Sequence, residues 1–182
     1  TLYRSEIVPT VIAWLNGRIL VGEGASQMKY QLKKGKNIWY SFKMELGEDL
    51  GAKYYDSELR EVDPFRIKNP VDAARVFFAY LKYLIIKYCT ENNISTDILY
   101  AVSIPASFEA NQRKDLLDAL MANDMKVSKQ ALIDEPNAAF ISYAVSRAAE
   151  DRPMFISPDY NSKVLVFDFG GGTCDISILE IG

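Results

Sequence analysis

Three consecutive glycines separate two runs of apolar residues near the end of the chain. The segment reads VLVFDFGGGTCDISIL over residues 164–179, with Asp168 before the glycines and Asp175 after them. Consecutive glycines let the backbone turn tightly with positive φ angles, and successive N–H groups can then converge on an anion. The segment therefore predicts a strand, a phosphate-binding glycine turn and a second strand.

The residues around the glycines decide which kind of phosphate loop this is. Thr173 adds a hydroxyl donor, while Asp168 and Asp175 would repel a phosphate but suit a hydrated Mg²⁺ that binds one. A Walker loop needs a lysine after the glycines, and both it and a dinucleotide fingerprint need a following helix. Neither motif fits a strand–turn–strand pattern. For the glycines alone, a hairpin turn without a ligand is an equal alternative, and the aspartates and the buried strand favour a ligand.

The rest of the chain alternates predicted strands and helices. Asn16-Gly17 predicts a hairpin between strands 11–15 and 18–21. A helix begins at Pro70 with Asn69 as its N-cap and fades at Asn92-Asn93. Its predicted buried stripe comprises Val71, Ala74, Phe78, Leu81, Ile85 and Tyr88. Short strands are expected between residues 47 and 69.

The second half of the chain continues this alternation. The run 98–104 predicts a central strand that is apolar on both faces, and Pro105 ends it. Next come a helix over 109–123 with Leu116, Leu117, Leu120 and Met121 inward, and a strand over 130–133. A helix that begins at Glu135 then runs to Ala149, with Ala139, Phe140, Tyr143 and Ala144 in its core. This order predicts an α/β protein.

Composition excludes several function classes. Histidine is absent, which rules out Ser-His-Asp and Cys-His catalysis and histidine-ligated metals. The net charge of −3 gives no reason to expect nucleic-acid binding, and no apolar run approaches the ~20 residues that span a bilayer. Cys89 and Cys174 form no CxxC pair, which fits a reducing compartment, and a cytoplasmic location is expected. The lysines at 29, 33, 34 and 36 are interpreted as a solvated loop or helix face, with a patch that binds phosphate or a partner as the alternative.

Three segments in order resemble one protein family. The run 166–177, VFDFGGGTCDIS, resembles the second phosphate motif of the 70-kilodalton heat-shock chaperones (DnaK-like). The run 101–108, AVSIPASF, followed by Gln112-Arg113, resembles their PAxF…QR segment, and 133–139, IDEPNAA, resembles their NEPTAAA connection. The first hundred residues match more loosely. The resemblance implies the nucleotide-binding domain of an actin-like ATPase, with ATP or ADP and Mg²⁺ as cofactors and with polypeptide clients and co-chaperones as partners.

The resemblance also implies roles for individual residues. Glu135 would position or deprotonate the attacking water, and the alternative is a first-turn carboxylate that faces the helix dipole. Lys43 would neutralise charge on the γ-phosphate, and the alternative is an ordinary surface lysine. Asp168 and Asp175 would orient Mg²⁺ through water. The phosphates would be held by Gly170, Gly171, Gly172 and Thr173, the last also counted as catalytic. Pro105 and Arg113 resemble the interdomain switch positions of the family.

The implied architecture is an actin-like (ribonuclease H-like) lobe with a mixed sheet flanked by helices. Residues 1–72 would form a smaller α+β subdomain with the entry strands, and residues 73–150 the α/β core. Residues 151–162 would be a linker, and 163–182 a phosphate-binding hairpin that begins the second lobe. We expect the chain to be a piece of a longer domain, because the family's first D-x-G-T hairpin would precede Thr1 and the adenosine-binding lobe would follow Gly182. The fragment itself is expected not to hydrolyse ATP.

Two alternatives remain open. One is another actin-like ATPase, such as a filament-forming protein or a sugar kinase, which the PAxF…QR and NEP-type segments disfavour. The other is a non-catalytic nucleotide-binding module, a pseudo-ATPase. Asn137 in place of the family's usual threonine, and Ala110 where an acidic partner of Arg113 is common, leave this second reading open.

Overall fold

The computed structural model describes residues 7–49, 51–128, 131–150, 162–169 and 174–181. The chain divides into two units, one formed by residues 1–99 and 109–126 and the other by residues 100–108 and 127–182. Each unit combines helices with β-structure, so the prediction of a mixed α/β protein is confirmed. The subdomain boundaries expected from the sequence remain a prediction.

The first unit contains a three-stranded antiparallel sheet in the order β2-β1-β3. Strands β1 (Val11–Leu15) and β2 (Arg18–Val21) form the predicted hairpin, and β3 (Ile38–Tyr40) pairs with the other edge of β1. Asn16 and Gly17 have φ angles of 52° and 72°, as a tight two-residue hairpin turn requires. A one-turn helix, α1 (Glu23–Ser26), buries Ala25 against the sheet.

Residues 47–69 form no strand in the part of the chain that the structure describes, so the expected short strands are wrong. A short 3-10 helix, Gly51–Tyr54, and a series of turns replace them, and another 3-10 helix, Phe42–Glu45, precedes this segment. The buried apolar residues in and just before this segment, Leu46, Tyr54, Leu59 and Ile67, are well separated along the chain. Because these apolar residues lie five to eight positions apart, they do not form the alternating pattern that a half-buried strand needs.

Two helices complete the first unit: α2 (Pro70–Glu91) and α3 (Ala110–Met121). The predicted N-cap is confirmed, since the Asn69 side chain accepts a hydrogen bond from the backbone N–H of Asp72 at 2.8 Å. Of the predicted buried stripe of α2, Ala74 is buried and Val71, Phe78, Leu81 and Ile85 are half-buried, but Tyr88 is 55% exposed, so its inclusion is wrong. The fully buried residues of α2 are Pro70, Ala73, Ala74, Val76, Phe77 and Cys89, of which only Ala74 belongs to the predicted stripe.

Helix α3 begins where the sequence predicts. Glu109 is its N-cap and forms a capping box with Gln112, in which each side chain accepts from the other residue's backbone N–H. Leu116 and Leu120 face inward as predicted, but Met121 is 64% exposed. At the end of α3, the Lys82 Nζ donates to the Asn123 carbonyl at 2.6 Å, which connects this end of α3 to α2.

The second unit contains two two-stranded sheets and one helix. Strands β4 (Val102–Ile104) and β5 (Leu132–Asp134) are parallel, and α4 (Glu135–Ala149) follows β5 directly. Strands β6 (Ser162–Phe169) and β7 (Cys174–Ile181) form an antiparallel hairpin. Strand β4 is shorter than predicted, and Leu99, expected within a buried strand, is 98% exposed. Ala139 and Tyr143 of α4 are also exposed, contrary to prediction.

Alternation along the hairpin separates its two faces. One face carries large apolar side chains that are more than half exposed: Leu165, Phe167, Phe169, Ile176 and Ile178. The other face carries Val166, Asp168, Asp175 and Ser177, because successive side chains of a strand point to opposite sides. Because Asp168 and Asp175 are register partners, both aspartates lie on the same side of the ribbon.

Both cysteines are free thiols, Cys89 buried and Cys174 exposed. Within the described ranges, none of the helices combines the length and the apolar character needed to cross a membrane.

Candidate functional site

Four of the residues singled out in the sequence line one cavity of about 200 Å³ in the second unit. They are Pro105, Glu135, Asp168 and Asp175. The remaining described residues of the lining are Ala106, Ser107, Pro136, Val166, Ile176 and Ser177. We call this space the acidic cavity, because its described lining contains three carboxylates and no lysine or arginine.

The parallel pair β4–β5 places Pro105 and Glu135 beside each other. Ile104 and Asp134 are register partners at the ends of the two strands, so the residue after each strand emerges at the same edge. Ligands of open α/β sheets bind at this carboxyl edge. The prediction that Pro105 ends a strand and Glu135 opens a helix is confirmed, and these two transitions form one wall of the acidic cavity.

Glu135 occupies the first turn of α4, with the buried Pro136 next to it. A carboxylate at this position interacts favourably with the positive end of the helix dipole. Glu135 also lines the acidic cavity. A first-turn carboxylate with a purely structural role would not need to do so.

The hairpin supplies the other two carboxylates. Asp168 and Asp175 are register partners, directly opposite each other on β6 and β7. Like charges in this arrangement destabilise a sheet, so the pair favours a cation nearby. The described residues contain no group of three or more acidic, cysteine or histidine side chains arranged to hold a metal directly. Two carboxylates nevertheless fit Mg²⁺, which keeps several of its waters and is often held through one or two carboxylates.

Gly170, Gly171, Gly172 and Thr173 lie outside the described residues. The strands on either side of them pair as far as Phe169 and Cys174, so the element after the glycines is a strand, as predicted. This excludes a Walker loop and a dinucleotide fingerprint, both of which need a helix at that point.

The other two predicted site residues belong to the first unit. Lys43 is an exposed residue of the 3-10 helix Phe42–Glu45, and Arg113 is a half-buried residue of α3. Four of the predicted residues thus line the acidic cavity of the second unit, whereas Lys43 and Arg113 belong to the first unit.

Glu45, two residues after Lys43, is a buried charge that the sequence did not reveal. It accepts hydrogen bonds from Tyr54 Oη at 2.6 Å, from Lys34 Nζ at 3.2 Å and from Lys53 Nζ. Burial alone would raise the pKa of Glu45, but the hydrogen bonds from Lys53, Tyr54 and Lys34 hold it below its ordinary value. Burial, together with the bond to Glu45, raises the pKa of Tyr54.

The interpretation of the lysines as a solvated face agrees with the exposed Lys29 and Lys33 but not with Lys34, which is bound to the buried Glu45. Lys34 reaches Glu45, Lys33 pairs with Asp56 at 3.8 Å, and Lys36 pairs with Glu58 at 3.7 Å. The acidic partners lie 11 to 23 positions further along the chain, so local charge patterning contains no signal for them. Ser107 and Ser177 of the acidic cavity were also missed, because isolated serines carry no pattern.

Comparison with known proteins found one family that matches nearly the whole chain. Residues 3–182 match the family model described as Hsp70 protein. The chain is 31% identical to the chaperone protein DnaK of Thermotoga neapolitana, over 98% of this chain and 26% of that protein. It is 28% identical to the heat shock cognate HSP70 protein of Trypanosoma brucei brucei, over 97% of this chain and 27% of that protein. The chain therefore spans about a quarter of the length of these relatives.

Proposed function

Because this chain belongs to the Hsp70 family, we propose that it forms part of the ATP-binding and ATP-hydrolysing domain of a heat-shock-type molecular chaperone. The fold would be that of an actin-like ATPase lobe, related to ribonuclease H. The acidic cavity carries this proposal: it joins the NEP-type helix start, the PAxF proline and the two aspartates of the glycine hairpin around one space.

The electrostatics of the acidic cavity support phosphate chemistry with a metal ion. Three carboxylates without a basic neighbour in the described lining repel a bare phosphate, and a bound divalent cation reverses that preference. We propose that Asp168 and Asp175 hold Mg²⁺ through its waters, and that Gly170, Gly171, Gly172 and Thr173 bind the phosphates. The metal would neutralise charge that develops during phosphoryl transfer.

Glu135 is the proposed base or water-positioning residue of the reaction. Phosphoryl transfer needs placement and electrostatic stabilisation rather than covalent catalysis, and a carboxylate fixed at a helix start can orient a water. Lys43 is proposed to neutralise charge on the γ-phosphate. Pro105 and Arg113 are proposed as positions that relay the nucleotide state, with polypeptide clients and co-chaperones as partners of the whole protein. The two free thiols support a reducing compartment, and we propose the cytoplasm.

The test is ATP hydrolysis by the full-length protein under single-turnover conditions. We expect Glu135→Ala and Lys43→Ala each to lower the hydrolysis rate about a hundredfold, the usual range for a lost acid–base or charge-stabilising group. Glu150→Ala is the matched control, because Glu150 caps the other end of α4, and it should leave the rate within about twofold of wild type. A wild-type protein that binds Mg-ATP without hydrolysing it would support the pseudo-ATPase alternative instead.

A further inference from the structure

Gly47 is bound to α3 through both of its peptide groups. Its N–H donates to Asp115 Oδ2 at 2.8 Å, and its carbonyl accepts from Asn111 Nδ2 at 2.9 Å. Asn111 and Asp115 lie four residues apart, on one side of the helix. All three residues belong to the first unit. We call these two hydrogen bonds the Gly47 clamp.

The clamp allows no side chain at position 47. Gly47 has a φ of 79°, which residues with a Cβ rarely adopt. An added Cβ would lie 2.7 Å from Gln112 Cγ and 2.8 Å from Asn111 Nδ2. The backbone at Gly47 therefore touches the surface of α3 directly, and the glycine is what makes both hydrogen bonds possible.

The clamp lies just after the 3-10 helix that carries Lys43. This helix, Phe42–Glu45, has only four residues, and a helix this short does not stabilise itself. It is held instead by its neighbours. The Phe42 ring packs edge-on against Phe77 of α2 at 6.2 Å, and Glu45 is bound by the Lys34, Lys53 and Tyr54 side chains.

Lys43 is thus an exposed side chain on a turn fixed on both sides. Phe42 fixes it from α2, and Glu45 together with the clamped Gly47 fixes it from the following residues. Of these contacts, the clamp alone connects the segment to α3. If it is lost, the backbone at Gly47, which follows the buried Leu46, is no longer bound to α3, and the turn can shift relative to that helix.

We propose that Asn111 and Asp115 are positioning residues that fix Lys43 for phosphoryl transfer. The proposal rests on the proposed function, in which Lys43 neutralises charge on the γ-phosphate. A misplacement of about 1 Å in a group that acts on the reacting atoms can cost about a hundredfold in rate. Neither Asn111 nor Asp115 touches the nucleotide in this scheme; both act through Lys43.

A double-mutant cycle in the full-length protein tests the proposal. In a protein that keeps Lys43, Asp115→Ala should lower kcat for ATP hydrolysis about tenfold, with KM for ATP within about twofold of wild type. In the Lys43→Ala background, the same substitution should change kcat less than about twofold, because the group that it positions is gone. Asp115→Asn keeps an acceptor for the Gly47 N–H and should restore most of the rate.

Asp118→Ala is the matched control. Asp118 lies on the same helix and pairs with Lys114 Nζ at 2.7 Å, without contact to Gly47, so its loss should leave kcat unchanged in both backgrounds. An equal fall of kcat for Asp115→Ala in both backgrounds would show a merely structural role and overturn the proposal. So would an unchanged kcat in the Lys43 background.

Hydrogen exchange separates failure of the clamp from failure of the proposed function. In the same full-length variants, the amide of Gly47 should exchange at least about tenfold faster in Asp115→Ala than in wild type or Asp118→Ala. Unchanged exchange would overturn the clamp itself. If Asp115→Ala exchanges faster but the wild-type protein does not hydrolyse ATP, the catalytic role of Lys43 is overturned, and with it the positioning role, while the clamp remains a structural contact.

Discussion

The structural role of a single residue can be predicted from this sequence where the role depends only on local chain geometry. Asn69 caps α2, and Asn16 and Gly17 form the hairpin turn, because each of these roles depends on the residue and its immediate neighbours. Glu45 is the opposite case. Its identity between Met44 and Leu46 gives no sign of burial, and its partners Lys34 and Tyr54 meet it only through the fold. Long-range electrostatics of this kind are invisible in local patterning.

The Glu45 cluster makes stability depend on pH in a defined direction. The pKa of Glu45 is lower in the folded chain than in the unfolded chain, so its carboxylate stabilises the fold above the unfolded pKa. That stabilisation is lost as the pH falls through the lowered folded value. Wild type should exceed Glu45→Gln in free energy of unfolding by about 2 kcal/mol at pH 7, with the difference shrinking in the acid range below about pH 4.

Urea unfolding followed by tryptophan fluorescence measures this difference, because Trp39 is buried in β3 of the same unit. Glu48→Gln is the control, as an exposed residue near the same turn, and should show no such pH-dependent difference. A constant gap between wild type and Glu45→Gln from pH 7 to pH 3 would contradict the prediction.

The aspartate pair of the hairpin gives a second prediction at this scale. Asp168→Asn should raise the Mg²⁺ concentration needed for half-maximal ATP hydrolysis by the full-length protein about tenfold, as loss of a group that orients metal-bound water does. Glu180→Gln is the control on the same hairpin, where Glu180 pairs with Lys163 at 4.0 Å. An unchanged Mg²⁺ requirement in Asp168→Asn would contradict the proposed metal role of this residue.

At the scale of elements, the starts and ends of the helices were predictable and their buried faces were not. Helix α2 contains the run VFFAYLKYLIIKYC, which is apolar around most of its circumference, so periodicity cannot select one face. Packing against its neighbours in the unit buries Ala73, Val76 and Phe77 most completely, together with the predicted Ala74. The prediction of short strands in segment 47–69 is wrong for a related reason. Its buried residues lie far apart in turns, and turns of this kind have no repeating sequence pattern.

The N-terminus of α2 provides a test at this scale. Asn69→Ala should lower the free energy of unfolding by about 1 kcal/mol, because the backbone N–H of Asp72 loses its acceptor. Asn69→Asp keeps an acceptor and should lose little. The urea midpoints of the two variants measure the difference, and equal losses for both would show that the side chain contributes something other than the cap.

At the scale of the whole molecule, three motifs in order were enough to identify the family. Glycine turns, prolines and helix starts each depend on a short stretch of sequence. The acidic cavity was predictable in its residues but not in its size or its serines. At about 200 Å³ it is smaller than the roughly 300–1,000 Å³ of pockets that enclose small-molecule ligands. A cavity of this size suits a phosphate group and hydrated metal rather than a complete nucleotide.

The 182 residues by themselves should therefore bind Mg-ATP weakly or not at all. The sequence contains one glycine-rich hairpin that we propose to bind phosphate, and the acidic cavity is too small for the adenosine group as well. Isothermal titration calorimetry of the chain with Mg-ATP measures this directly. Micromolar affinity would contradict the prediction and would show that the chain holds more of the nucleotide site than the cavity suggests.

The contact between Gly47 and α3 has a consequence for how this gene can change over generations. Gly24 has open space around the position of a Cβ, so a mutation to alanine there meets no steric obstacle. At Gly47, every single-nucleotide change of a glycine codon that introduces a side chain meets Asn111 and Gln112 at once. Drift at position 47 must then wait for compensating change on α3, so these positions should vary together or not at all across descendants of this gene.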